Sequence, residues 1–182
     1  MRTAFEIANV NSPKSICVEN SKVLEASKFN YPLIVKPTDR SGSRGVSKVY
    51  NYIELKNAIE RGLEESLEKK VVIEEFIDGV EVSVESISWQ GNHYILSITD
   101  KVTTGEPYFV ELEHHQPSLL AIEIQDEIKR ETIKALNALE IQFGASHSEF
   151  KITAEGKVYA IEVGARMGGD FIGSDLVYLS TG

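Results

Sequence analysis

The stretch ASHSEFKITAEGKVYAIEV, residues 145–163, decides the fold because it predicts a β-hairpin that carries two glutamates at facing positions. Its two ends have strand character and its middle is turn material. With a two-residue turn at Glu155-Gly156, Glu149 faces Glu162 across the hairpin. A four-residue loop keeps this register, whereas a three-residue loop would shift it by one position and break the pairing.

Two facing carboxylates need a positive partner. Like charges directly opposed in a sheet, with Cβ atoms about 5 Å apart, destabilise it. A positive group is therefore expected between Glu149 and Glu162, and two hard oxygen ligands suit Mg²⁺ held jointly with substrate phosphates. The alternative is an edge hairpin whose glutamates splay into water.

The residues that follow the second glutamate favour a site. Arg166 and the pair Gly168-Gly169 come where the strand should end. A guanidinium can donate to phosphate or carboxylate oxygens as a fork, and paired glycines allow backbone to approach a ligand closely. The alternative is that Arg166 is a solvated surface charge.

Composition bounds the class of protein. The chain has 182 residues, of which 42% are hydrophobic and 26% charged, enough for one substantial core or two small ones. No apolar run approaches the roughly 18 residues of a membrane span, and no signal peptide begins the chain, so a cytoplasmic location is predicted. Cys17 is the only cysteine, which excludes an internal disulfide. The net charge of −9 argues against nucleic acid or an anionic membrane as partner.

Strand and helix patterns fall into separate blocks, which predicts an α+β fold rather than a repeating βαβ array. A division near Asp78-Gly79 separates a first lobe, residues 12–79, from a larger second lobe, residues 80–182, with residues 1–11 as a remnant helix. Both ends are abrupt, so we expect the natural protein to be longer. The predicted strands are 15–18, 31–37, 46–50, 71–77, 80–85, 93–103, 108–113 and the two hairpin strands, and the predicted helices are 1–9, 22–29, 55–67 and 121–141.

A glycine-containing loop, Ser41-Gly42-Ser43-Arg44-Gly45, follows the predicted strand that ends near Lys36. Its backbone amides could form an anion nest, and neighbouring lysines and arginines focus positive charge there despite the negative total. The loop matches neither GxxxxGK[ST] nor GxGxxG. The alternative is an ordinary turn.

Two further polar clusters lie along the chain. Glu74-Glu75-Phe76-Ile77 ends one strand and Glu81 begins the next, where backbone groups can pair with a purine edge and a carboxylate can accept from ribose hydroxyls. The alternative is a set of solvent-facing glutamates. Lys101 and the adjacent His114-His115 form the other cluster, in which neighbouring histidines point to opposite strand faces and cannot easily chelate one metal. His147 lies on the same face as Glu149.

The order of these pieces resembles the ATP-binding portion of the ATP-grasp superfamily, in the branch near carbamoyl-phosphate synthase, biotin carboxylase and amino-acid ligases. The matching set is Lys36-Pro37, the glycine loop, Glu74 to Ile77, Glu81, Glu149 and Glu162-x-x-x-Arg166, and it covers residues 12–182. The resemblance implies two α+β lobes that clamp ATP, with the preceding N-terminal domain missing from this chain.

The resemblance also implies a role for each candidate residue. Lys36 and Lys101 would contact ATP phosphates, and the loop with Ser41, Gly42, Ser43 and Arg44 would close over them. Glu74 would meet the adenine amino group, Glu75, Phe76 and Ile77 would supply backbone contacts, and Glu81 would hold the ribose. Glu149 and Glu162 would bind Mg²⁺, or Mn²⁺ in its place; Arg166 would steady an acyl phosphate; and His114, Gly168 and Gly169 would face the substrate.

The implied activity is ligation. γ-Phosphoryl transfer from Mg-ATP to a small-molecule carboxylate gives an acyl phosphate that an amine or similar nucleophile attacks. A second copy of the chain or the missing N-terminal domain is a further implied partner. The alternatives are phosphorylation of bicarbonate or carbamate, as in carbamoyl-phosphate synthase, and a truncated nucleotide-binding module without turnover. Many members have Asn where this chain has Gly164, so one metal ligand is absent or supplied elsewhere.

Overall fold

A computed structural model describes residues 1–19, 29–106 and 110–182, which form two compact units. The smaller unit comprises Pro13–Phe76 and Thr103–Val110; the larger unit comprises Met1–Ser12, Ile77–Val102 and Glu111–Gly182. The boundary after Phe76 lies close to the division expected near Gly79. Residues 103–110, expected in the second lobe, group with the smaller unit, and the N-terminal helix groups with the larger one.

The elements follow the predicted order. The strands are β1 (Ser15–Glu19), β2 (Leu33–Pro37), β3 (Ser47–Val49), β4 (Lys70–Glu75), β5 (Val80–Trp89), β6 (Asn92–Thr103), β7 (Glu111–His115), β8 (Phe143–Ile152) and β9 (Val158–Gly164). The helices are α1 (Arg2–Ile7), α2 (Tyr52–Glu65), α3 (Ile122–Ala138) and α4 (Val177–Thr181), with a π-helical turn at Ile172–Leu176. The helix predicted over residues 22–29 lies almost wholly outside the described residues. Within the described part of the chain, no helix has both the length and the hydropathy to cross a membrane.

The smaller unit is an antiparallel sheet covered by one helix. The strand order is β1-β4-β2-β3, and α2 packs against β2 and β4. Asn51 caps α2 by accepting a hydrogen bond from the Glu54 N–H at 3.0 Å. The apolar residues of α2 recur at helical spacing and therefore lie on one face of the helix. Leu55 and Ile59 on this face are buried in one core with residues of the sheet.

The larger unit is a five-stranded antiparallel sheet in the order β7-β6-β5-β8-β9. Val82 and Val84 of β5 are buried in a core with Ile128 of α3. Because successive strand residues point to opposite faces, Glu81, Ser83 and Glu85 lie on the other face of the sheet. The alternation predicted for this strand therefore separates a core face from a polar face.

The β8–β9 hairpin has the predicted pairing of Glu149 with Glu162, but its loop length and its strand register differ from the prediction. Its loop has three residues, 154–156, closed by a Thr153 N–H bond to the Lys157 carbonyl at 3.0 Å, so the two-residue turn was wrong. Gly156 supplies the left-handed conformation of this loop, with φ of 77°. The one-position shift is then reversed by a bulge at 161, beyond which Glu149 does pair with Glu162.

Candidate functional site

Lys101 is a buried cation at the centre of the polar face of the larger unit. Its Nζ lies 2.8 Å from Glu81 Oε1, 2.6 Å from Glu111 Oε1 and 3.0 Å from Glu149 Oε1, and its side chain is only 2% exposed. The β5–β6 register, which pairs Glu81 with Lys101, accounts for the first contact. Burial by itself lowers the pKa of Lys101, but the charges of Glu149 and Glu81 outweigh it and raise that pKa.

The three glutamates around Lys101 form a dense acidic cluster. One carboxylate oxygen from each of Glu81, Glu111 and Glu149 lies within 4.8 Å of the others. The Lys151 Nζ approaches Glu81 from the opposite neighbouring strand at 3.7 Å. Glu81 is therefore flanked by a lysine on each side, and the repulsion among the carboxylates is offset mainly by Lys101.

Glu149 has two positive partners, both of them side chains of the protein, where a positive group was expected between Glu149 and Glu162. In addition to Lys101, His147 donates from Nε2 to Glu149 Oε1 at 3.3 Å. Burial by itself raises the pKa of Glu149, but the hydrogen bond from His147 and the charge of Lys101 lower it to about 2. Glu149 is thus ionised at neutral pH. Glu162, its cross-strand partner, is exposed.

Glu85 is a buried residue that no sequence pattern singled out, and it lies beside His147, which was predicted only to share a strand face with Glu149. His147 Nδ1 contacts Glu85 Oε1, and Glu85 is 2% exposed. Burial by itself lowers the pKa of His147, but hydrogen bonds to Glu149 and Glu85 raise it to about 9, so the imidazolium donates from both ring nitrogens. The available signal was strand alternation, since Glu85 shares a face with Glu81, and His147 with Glu149.

The segment after β9 carries the predicted catalytic and substrate residues. Arg166 is exposed, and its Nη1 donates to the Met167 carbonyl at 2.8 Å, which uses one of five guanidinium N–H donors. The Gly168 N–H donates to Glu85 Oε2 at 3.0 Å, whereas Gly169 is exposed. The structure therefore attaches this segment to the polar face through Gly168.

His114 lies next to the acidic cluster. Its Nε2 is 3.4 Å from Glu111 Oε2 and 3.9 Å from Asp170 Oδ2. Glu111 thereby links His114 to Lys101, which it contacts through its other carboxylate oxygen. No sequence pattern singled out Glu111, because its position depends on β7 pairing at the edge of the sheet.

The smaller unit brings two predicted ATP residues together. The Lys36 Nζ lies 2.9 Å from Glu74 Oε2, and both side chains are largely buried. Glu75 and Phe76 donate their N–H groups to the carbonyls of Lys14, at 3.0 Å, and Pro32, at 3.3 Å. These two amides are therefore engaged within the protein.

Two more features of the smaller unit lie at the predicted nucleotide residues. The Lys48 Nζ lies 3.5 Å from the centroid of the Phe76 ring, and Lys48 also forms an ion pair with Glu106. The predicted loop residues Ser41, Gly42, Ser43 and Arg44 are exposed. Gly42 and Ser43 both have positive φ, of 63° and 55°, so the loop makes a tight turn.

The model of the family described as the ATP-grasp domain matches residues 29–175 of this chain. The chain belongs to the ATP-grasp family. A solved structure, that of an L-amino acid ligase from Bacillus licheniformis, is 34% identical with a TM-score of 0.84, over 97% of this chain and 41% of that one. Membership confirms the predicted α+β, ATP-grasp fold.

Two curated proteins are also similar to this chain. A D-alanine–D-alanine ligase from Flavobacterium johnsoniae is 31% identical over 142 residues, which covers 75% of this chain and 43% of that protein. The alanine–anticapsin ligase of Bacillus subtilis (strain 168) is 29% identical over 196 residues, covering 93% of this chain and 40% of that protein. The chain thus spans about two fifths of the length of these relatives, and the roles of individual residues stay predictions.

Proposed function

We propose that the chain is the ATP-binding region of a ligase that joins a carboxylate to an amine through an acyl phosphate. The observation that carries the proposal is the buried Lys101 among Glu81, Glu111 and Glu149, beside the Glu149–Glu162 pair. Such a concentration of fixed charge, with both signs present, suits a ligand that is itself a complex of phosphate and a divalent cation. The relatives named above support the reaction class, since one is named as an L-amino acid ligase and the other two as ligases of alanine.

In this proposal, the adenine of ATP contacts the residues at the end of β4. The Glu74 carboxylate accepts from the adenine amino group, while Lys36, held 2.9 Å from it, serves the phosphates. Because the Glu75 and Phe76 N–H groups are engaged within the protein, the purine edge uses the Ile77 N–H and the carbonyls of this segment. Glu81 accepts from the ribose.

The carboxylates fit the magnesium ion that ATP-grasp ligation requires. Glu149 is ionised, and Glu149 and Glu162, paired across β8 and β9, offer only carboxylate oxygens, the preference of Mg²⁺. Glu149 and Glu162 would hold the ion, and Gly164 adds no side-chain ligand. When bound, the ion supplies neutralisation of charge on the phosphate oxygens.

The chain's own residues supply the rest of the chemistry. In this proposal Lys101 exchanges one of its three carboxylate partners for a phosphate oxygen and then balances part of the charge of the transferring phosphoryl group. Arg166, with a planar fork of donors, holds the acyl phosphate that forms. His114 and the backbone of Gly168 and Gly169 orient the carboxylate substrate, so that positioning provides much of the rate.

The test is ADP formation by the complete protein with Mg-ATP and a panel of amino acids. We expect ADP release to require both a carboxylate and an amine substrate, with a product whose mass equals their sum less one water. ADP release with bicarbonate alone would instead support a carbamoyl-phosphate type of reaction. Mg-ATP binding without ADP release under any pairing would contradict the proposal and indicate a nucleotide-binding module.

Replacing both proposed metal ligands should weaken Mg-dependent binding. In the Glu149→Gln, Glu162→Gln double variant, we expect calorimetry to show ATP affinity lower by about 2–3 kcal/mol in Mg²⁺ and little changed in EDTA. Because Glu149 also forms hydrogen bonds with Lys101 and His147, the free energy of unfolding of this variant should be lower than that of the wild type. Unchanged Mg-ATP affinity would contradict the metal assignment.

Replacing the proposed ribose ligand should distinguish ATP from inorganic triphosphate. Glu81→Ala is expected to weaken the binding of ATP by about 1–3 kcal/mol, which is the usual cost of losing hydrogen bonds to a charged group. Triphosphate should bind as well or better, because Lys101 loses a competing carboxylate 2.8 Å away. Glu113→Ala, at an exposed glutamate, is the control and should change neither. Equal losses for both ligands would mean that Glu81 acts through folding.

A further inference from the structure

Glu85 is a buried carboxylate that holds two separate parts of the larger unit. Its Oε1 contacts Nδ1 of His147 on β8, and its Oε2 accepts from the Gly168 N–H at 3.0 Å. Glu85 is 2% exposed and His147 8% exposed. A carboxylate so buried persists only with such partners, because an unpaired one is strongly disfavoured.

The segment after β9 packs directly onto this carboxylate through glycines. A Cβ at Gly168 would lie 2.5 Å from Glu85 Oε1 and 2.8 Å from His147 Nδ1, distances that real contacts do not reach. A Cβ at Gly173 would lie 3.2 Å from Glu85 Oε2. A Cβ at Gly169, by contrast, would meet nothing within 4 Å. Only Gly168 and Gly173 are therefore matched in shape to Glu85.

We propose that Glu85 is a positioning residue that fixes the Gly168-Gly169 segment relative to the Glu149 carboxylate. Glu85 accepts a hydrogen bond from the Gly168 N–H. It also contacts His147, whose other ring nitrogen donates to Glu149 at 3.3 Å. The roles of Gly168 and Glu149 toward ligands rest on the proposed function. The hydrogen bonds that connect Glu85, His147, Glu149 and Gly168 are observed in the structure and do not depend on the proposed function.

The first test measures the link without any ligand. In the ¹⁵N-labelled 182-residue chain, Glu85→Ala should accelerate amide exchange of Gly168, followed by NMR, by about tenfold or more. Glu85→Gln keeps a carbonyl acceptor for that amide and a similar shape, so its acceleration should be smaller. Ser83→Ala is the matched control, because Ser83 is buried on the same strand face and its hydroxyl has no partner among the described residues. Equal Gly168 exchange in wild type, Glu85→Ala and Glu85→Gln would overturn the proposal.

The second test substitutes the glycines of the segment that packs against Glu85. Gly168→Ala should displace the segment and shift the His147 imidazole resonances, whereas Gly169→Ala should leave them unchanged. Neither glycine has a positive φ, so the comparison isolates steric contact from backbone strain. Identical spectra for the two alanine variants would contradict the packing on which the inference depends.

The third test asks whether the link serves catalysis. In the complete protein, Glu85→Gln and Gly168→Ala should raise KM for the carboxylate substrate about tenfold while ATP affinity changes little, even though both changes lower the melting temperature. A merely structural role would lower melting temperature and ATP affinity together, and that result would overturn the proposal. Absence of turnover in the unaltered protein would contradict the proposed function, and the exchange comparison would still decide the role of Glu85.

Discussion

Lys101→Met is expected to lower the free energy of unfolding by about 3–5 kcal/mol, the usual cost of leaving buried charges unpaired. Methionine has a similar length and fills the space, so the loss would come from charge rather than from a cavity. Without the ammonium, the oxygens of Glu81, Glu111 and Glu149 remain within 4.8 Å of one another. Urea unfolding at neutral pH measures the change through the shift in midpoint.

A surface lysine supplies the matched control. Lys129 pairs with Asp126 at 3.0 Å, but both side chains are well exposed, so Lys129→Met should cost less than about 1 kcal/mol. Adding Mg²⁺ should raise the midpoint of Lys101→Met more than that of the wild type, because the acidic cluster then lacks its own cation. Equal losses for the two lysine variants would contradict the account of Lys101.

Arg166→Lys in the complete protein should reduce turnover by about 10²–10³-fold, with the dissociation constant of ATP within about twofold of wild type. The range is that of losing one donor to charge that develops in the transition state. Lysine keeps the charge but loses the planar fork, and Arg166 contacts only the backbone carbonyl of Met167 among the described hydrogen bonds. Steady-state kinetics and calorimetry measure the two quantities separately.

The competing interpretation of Arg166 is structural. If its bond to Met167 mainly holds the segment in place, Arg166→Lys should melt earlier and lose ATP affinity and turnover together. Arg130→Lys, on α3, is the control, since Arg130 pairs with Glu127 at the surface and should tolerate the change. A low melting temperature in Arg166→Lys but not in Arg130→Lys would contradict the catalytic role.

Local sequence patterns predicted the elements well because each depends on neighbouring residues. Alternation identified β5, helical spacing identified α3, and the pairing of Glu149 with Glu162 was predicted correctly. The turn that led to that pairing was wrong, since a three-residue loop and a bulge replace the two-residue turn. A bulge has no composition of its own, so nothing in residues 157–163 indicated it.

The same local patterns did not predict contacts between residues that are distant in the sequence. Glu85 and His147 are 62 residues apart, and they meet only because β5 and β8 are neighbours in the sheet. Glu111 reaches Lys101 because β7 pairs at the edge beside β6. Strand order depends on the packing of the whole sheet, so buried partners such as these had to be found in the structure.

The loop and the bulge in the β8–β9 hairpin have opposite effects on register, and this makes the spacing of the acidic pair adjustable. A homologue with one residue fewer between Glu149 and Glu162 could keep the carboxylates opposed by losing the bulge. One with an extra residue at 154–156 could do so with a four-residue loop, because a residue added to the loop leaves the pairing of both strands unchanged. Alignments that demand a fixed interval between the two acidic residues would therefore discard chains in which the same pair meets across the sheet.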